Sequence, residues 1–159
     1  MAIPHNDGGA LADEVSDLAQ KAGRTVGTAE SLTGGHISCL LAAAPSSSAW
    51  FRGTIVAYSS AVKHDLLEVP TGPVVSERAA RSMAVATAKL LNADTVVAVT
   101  GAAGPDGQDG QEPGTVWFGL FDRGSVSALQ KSFTGNPTDV VELTAHHALE
   151  LLVNCLRAG

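Results

Sequence analysis

The sequence predicts one α/β domain, a three-layer α/β/α arrangement around a mixed sheet, and three observations carry that expectation. Apolar residues at helical spacing interleave with short β-branched runs through the first half of the chain. In the second half, Asp122-Arg123-Gly124 separates two strand-like runs, which adds an antiparallel hairpin to the pattern. The 159 residues are 45% hydrophobic, enough for one core-bearing domain, and contain neither an internal repeat nor a linker.

Residues 10–22 (ALADEVSDLAQKA) set Leu11, Val15, Leu18 and Ala22 at helical spacing, and Gly23 ends the run. Residues 25–29 read as a short strand, and residues 36–44 as a second helix broken by Pro45 and the serines 46–48. Residues 53–58 (GTIVAY) are β-branched and apolar, as a buried strand requires. A short helix over 60–67 stops before Pro70. Ser76 caps a long Ala-rich helix that runs to about residue 91. Residues 94–100 (DTVVAVT) are the clearest buried strand. A glycine-rich loop over 101–114 leads to strands at 115–121 and 127–133. Asn136 as cap and Pro137 at the first helical position open a last helix to about residue 156.

Composition narrows the function. Aromatic residues are only 4% of the chain, so the core must be aliphatic, with Trp50, Phe51, Trp117, Phe118 and Phe121 as its largest pieces. Charged residues are 16%, low for a soluble monomer, which predicts a homo-oligomer with covered surface. The net charge is −6 and Lys and Arg are scattered. Nucleic-acid binding needs clustered cations to displace phosphate counterions, so it is disfavoured. Cys39 and Cys155 lie far apart in apolar stretches and read as buried reduced thiols. Residues 1–9 read as a flexible N-terminus ahead of a domain over 10–159. They have no apolar core of signal-peptide length, and no segment reaches membrane-spanning length, so a cytoplasmic protein without a membrane partner is expected.

Several common catalytic signatures are missing. The chain has no phosphate loop, no Gly-x-Ser-x-Gly elbow, no His-Glu-x-x-His pair and no Gly-x-Gly-x-x-Gly fingerprint. The histidines lack metal-ligand spacing beside a carboxylate set, so no metal site is expected.

Three segments carry the chemistry. In Ala29-Glu30-Ser31-Leu32-Thr33-Gly34-Gly35 a serine sits between a strand end and a helix start. Backbone N–H groups of that helix suit a developing oxyanion, and the two glycines admit a ligand close to the backbone. A plain capping role for Ser31 or Thr33 accounts for the same local pattern. The second segment, Tyr58-Ser59-Ser60-Ala61-Val62-Lys63, also follows a strand. A desolvated Lys63 is a candidate base, with Tyr58 to orient it; a solvated lysine on a helix face is the plainer alternative. Ser60 lies three residues before Lys63, a spacing some acyl-transfer enzymes use, and is a rival nucleophile. It ranks below Ser31 because it suits the cap of the short helix. In the third segment, residues 100–107 (TGAAGPDG), backbone amides after the strongest strand can wrap a polar ligand. The tract 107–112 reads as a flexible turn.

The runs AESLTGG, SSAWFRGTIVAYSSAVK, VSE, TGAAGPDG and PGTVWFGL together resemble the competence-damage-inducible (CinA) C-terminal domain family over roughly residues 10–157. The resemblance implies nicotinamide-nucleotide amidase activity on a small-molecule nucleotide, without a cofactor. It implies Ser31, Tyr58 and Lys63 as catalytic residues. Glu30, Thr33, Gly34, Gly35, Thr100, Gly101, Gly104, Pro105 and Asp106 would bind substrate. Longer members carry a molybdopterin-binding-like domain with no counterpart in these residues. The arginines that family members usually carry near the last helix are replaced here by residues 135–142 (GNPTDVVE). That substitution leaves Arg52, Arg78 and Arg81 as candidate phosphate ligands, and opens a second reading as a binding module without turnover.

Overall fold

Residues 95–101 are buried at every position, the environment of a central strand covered by helices on both faces. The computed structural model describes residues 7–159. In chain order the elements are α1 (Asp7–Ala22), β1 (Val26–Glu30), α2 (His36–Ala42), α3 (Ser47–Trp50), β2 (Phe51–Val56) and α4 (Ser60–Asp65), then α5 (Glu77–Leu91), β3 (Thr95–Gly101), β4 (Thr115–Asp122), β5 (Ser125–Ser132) and α6 (Pro137–Ala158). The first helix starts three residues ahead of its expected position at 10. Residues 1–6 of the expected flexible N-terminus lie outside the described residues.

The five strands form one sheet in the order β2-β1-β3-β4-β5. β1 pairs in parallel with both β2 and β3, whereas β3–β4 and β4–β5 are antiparallel. The mixed sheet is therefore as expected. Strand alternation divides the interior into two cores. Val97 and Val99 of β3 face a cluster formed with α1, α2 and α6, while Val96 and Ala98 face α5. The alanines of α5 let it lie against β4, where Gly119 leaves no room for a Cβ beside the Ala80 carbonyl.

Local signals explain most boundaries. Ser76 caps α5 by accepting the Ala79 N–H. Asn136, Pro137 and Asp139 give α6 a capping box with proline in its first turn. Arg123 and Gly124 both take positive φ, 46° and 94°, which closes the β4–β5 hairpin with a two-residue turn.

Three expectations are corrected. Ser46–Ser48 do not merely break the chain, because α3 begins at Ser47. Trp50 and Phe118 are core residues, but Phe51, Trp117 and Phe121 are only half-buried. Cys39 is exposed and Cys155 half-buried. On α2 the inward stripe is Ile37 and Leu41, so Cys39 between them points away from the core. No helix among the described residues is long and apolar enough to cross a membrane.

Candidate active site

The parallel strands β2, β1 and β3 are neighbours, so their C-terminal ends meet at one edge of the sheet. Segments far apart in sequence leave that edge side by side, as ligand-binding segments of open α/β sheets do. They enclose a cavity of about 280 Å³ whose walls include Ser31, Tyr58 and Lys63. All three residues expected to perform chemistry thus share one cavity.

Ser31 follows β1 directly and is not the cap of α2. That position belongs to Gly35, at φ 106°, and the first N–H groups of α2 are satisfied without Ser31. The His36 N–H donates to the Thr33 carbonyl at 2.9 Å. The Ile37 and Ser38 N–H groups donate to the Glu30 carboxylate at 2.9 and 3.0 Å. Capping is therefore carried out from below, by Glu30, and the Ser31 hydroxyl is left to the cavity.

Glu30 also accepts the hydroxyls of Thr33 at 2.9 Å and Thr54 at 3.1 Å. It is fully buried. Its expected contact with substrate is corrected: the carboxylate faces inward and binds the loop that presents Ser31. The same holds for the Thr33 hydroxyl, which Glu30 occupies, and for the Gly34 N–H, which donates to the Ser31 carbonyl at 3.0 Å. Gly35 shapes the helix start and does not line the cavity. Of the expected oxyanion donors, the Gly34 N–H is consumed. The Leu32 and Thr33 N–H groups have no internal acceptor among the described residues, and Leu32 lines the cavity. Replacing Glu30 with Ala leaves two amide donors and the Thr33 hydroxyl without their acceptor, while the Thr54 hydroxyl keeps the Thr28 carbonyl. We expect a loss of about 3 kcal/mol or more in stability by chemical denaturation.

Lys63 is 3% exposed, on a helix whose cap is Ser59. Ser59 accepts the Val62 N–H, so the capping role expected of Ser60 belongs to its neighbour. Ser60 is exposed and absent from the cavity wall, which removes the structural basis for it as a nucleophile. Burial pushes the Lys63 amine below the usual lysine range, and the charge of Asp109 partly opposes that shift. No direct hydrogen bond joins Ser31 to Lys63. Tyr58, 71% exposed, stands at the rim and does not hydrogen-bond Lys63, so it walls the cavity and does not orient the amine.

The loop after β3 forms the opposite wall. Gly101, Gly104 and Asp106 line the cavity as expected. Thr100 does not: its hydroxyl turns back to the Val74 carbonyl at 2.6 Å. Pro105 also lies outside the lining. Ala102, Ala103 and Gly107, which belong to the loop expected to wrap a ligand, also line the cavity, and so does Gln108, which was not singled out from the sequence. The tract expected to be a flexible turn is held in place. Asp109 accepts the N–H groups of Val74 and Val75 at 2.8 and 3.1 Å, while Gln108 and Gln111 bond each other's backbone. Asp109→Asn weakens this latch and removes a charge that favours the Lys63 ammonium. The acidic limb of any Lys63-dependent rate should move to lower pH, as a pH–rate profile will read.

A second cavity, about 440 Å³, adjoins the first through Leu32, Tyr58, Ala103 and Gly104. His36 and the start of α6 complete it. Among the described residues, no cluster of three or more His, Cys, Asp or Glu side chains is placed to hold a metal ion.

The CinA C-terminal domain model matches residues 9–156. The chain belongs to that family. A CinA-like protein of Mycolicibacterium vanbaalenii is 38% identical over 160 residues, covering 96% of this chain and 37% of its own length. A CinA-like protein of Cytophaga hutchinsonii is 34% identical, covering 92% of this chain and 36% of its own. The chain thus spans little more than a third of these curated relatives. Among solved structures, a CinA superfamily protein from Klebsiella pneumoniae superposes with TM-score 0.91 at 30% identity, covering 96% of this chain and 99% of that one. A competence/damage-inducible protein from Agrobacterium tumefaciens gives 0.88 at 32% identity, covering 98% and 99%.

Proposed function

We propose that this CinA-family domain is an amidohydrolase that converts nicotinamide mononucleotide and water to nicotinate mononucleotide and ammonia. The observation that supports this most directly is that Ser31 and a buried Lys63, whose pKa is lowered by that burial, line one cavity. Neutral Lys63 takes the Ser31 proton, directly or through one water, as the Ser31 oxygen bonds to the carboxamide carbon. The Leu32 and Thr33 N–H groups stabilise the oxyanion. Lys63 then gives the proton to the departing nitrogen, and ammonia leaves an ester on Ser31. Water, deprotonated by Lys63, attacks that ester; the acid is released and Ser31 regains its proton.

Incubation of the purified protein with nicotinamide mononucleotide should release ammonia and nicotinate mononucleotide in equal amounts. An acid quench in the steady state should trap the acyl group on the peptide that contains Ser31, read by mass spectrometry. The absence of a direct Ser31–Lys63 hydrogen bond favours one other reading, a nucleotide- or protein-binding module. That reading requires binding with no ammonia at any enzyme concentration.

A further inference from the structure

The second cavity adjoins the reactive one along Leu32, Tyr58, Ala103 and Gly104. Its shared walls make it the adjoining space for a group attached to a carboxamide at Ser31. Its one carboxylate is Glu142, and the reactive cavity adds Asp106. A phosphate placed there needs a cation or free N–H donors.

All ten Lys and Arg residues fall within the described part of the chain. None lines the second cavity. Arg52 donates to the Leu91 carbonyl at the start of β2, the end remote from the site. Arg81 is held by Glu77 and the Val126 carbonyl. Arg24 and Arg123 pair with Asp122, Lys21 with Asp17, and Arg157 with Glu14. Arg78 and Lys89 ride on α5, across the sheet from α6, and Lys131 is on β5. Lys63 faces the reactive cavity, where its role is that of a base. The remaining donors that line the cavity include the His36 ring and the N–H and hydroxyl of Thr138, none of them a Lys or Arg cation. Pro137 has no N–H, the Asp139 N–H is taken by the Asn136 side chain, and the Asp139 carboxylate opposes the helix dipole.

We infer that the second cavity is a subsite for an uncharged or cationic group, selected by Glu142, so that the domain prefers an unphosphorylated carboxamide nucleoside over its 5′-phosphate. This rests on the amidase reading for its chemistry, but the subsite is testable by binding alone. A phosphate dianion beside Glu142 would meet a like charge with no Lys or Arg to offset it, and that repulsion is largest at low salt.

The probes are nicotinamide riboside and nicotinamide mononucleotide, titrated calorimetrically into Ser31→Ala protein at pH 8 and low salt. The riboside should bind more tightly by about tenfold or more, the order expected for repulsion between partly screened charges a few ångströms apart. Added Glu142→Gln should narrow that ratio severalfold, chiefly by tightening the mononucleotide, and so should higher salt. Wild-type kcat/KM should follow the same order. Equal or tighter binding of the mononucleotide overturns the inference. A ratio indifferent to Glu142→Gln overturns it too, as does the failure of both compounds to bind. No ammonia from wild type with either compound would instead sink the amidase reading, and the affinities would still decide the subsite.

Discussion

Ser31→Ala is expected to lower amide turnover by roughly 10⁴-fold or more, the scale seen when a nucleophile is removed from a site that acts as a unit. Structural damage should be small. The Ser31 side chain carries no cap, and the Ser31 carbonyl, which receives the Gly34 N–H, is untouched by the substitution. Thermal unfolding of the variant should lie close to wild type, and it should still bind the amide. Ser60→Ala supplies the contrast. Ser60 is exposed, outside the cavity, and not the cap of its helix. Its removal should leave the rate within about twofold, within the range of ordinary surface changes. Survival of turnover in Ser31→Ala with loss in Ser60→Ala would move the chemistry from the end of β1 to the segment after β2.

Lys63→Met should remove activity and raise stability together. The amine is the only base the mechanism uses, so a loss of roughly 10³-fold or more is expected. Stability moves the other way because burial disfavours the charged form. The folded-state pKa lies below the unfolded one. At pH below both values the lysine is protonated in either state, and the folded state bears the full cost of the buried charge. As pH rises from the folded to the unfolded pKa, the unfolded chain holds more protons, so stability increases with pH across that window. Methionine keeps much of the side-chain volume and carries no charge. The variant should therefore gain about 1 kcal/mol near neutral pH and lack the rise expected of wild type. Denaturant titrations at pH 6, 8 and 10 would measure both. The same displacement sets the kinetics: turnover should climb with pH along a limb that falls below the range of an exposed lysine. A limb at the ordinary lysine position, or a Met variant less stable than wild type, would contradict a desolvated base.

Much of this arrangement is legible in the chain. Gly23 and Pro137 mark helix ends, Ser76 and Asn136 announce caps, and the buried 94–100 run locates the central strand. Ser31, Tyr58 and Lys63 are visible because each follows a strand-like run, and strand ends are where an open sheet exposes groups. The direction of a side chain is harder to read. Glu30 and Thr100 are polar residues beside the reactive segment, and spacing alone does not distinguish a substrate contact from an inward one. Glu30 turns inward because four hydrogen-bond donors from α2, Thr33 and Thr54 converge beneath the loop. Ser59 and Ser60 are equivalent as sequence, and only the backbone of α4 decides which is the cap.

The sequence by itself determined the layers, the mixed sheet and the family, because periodicity, turn chemistry and long motifs are local properties of the chain. Tertiary structure alone decided that Lys63 is buried, that Asp109 latches the glycine-rich loop to residues 74–75, and that Glu142 walls a second chamber. Each of these depends on segments dozens of residues apart meeting at one edge of the sheet. Desolvation and charge proximity are consequences of that meeting, and no window of sequence contains both partners.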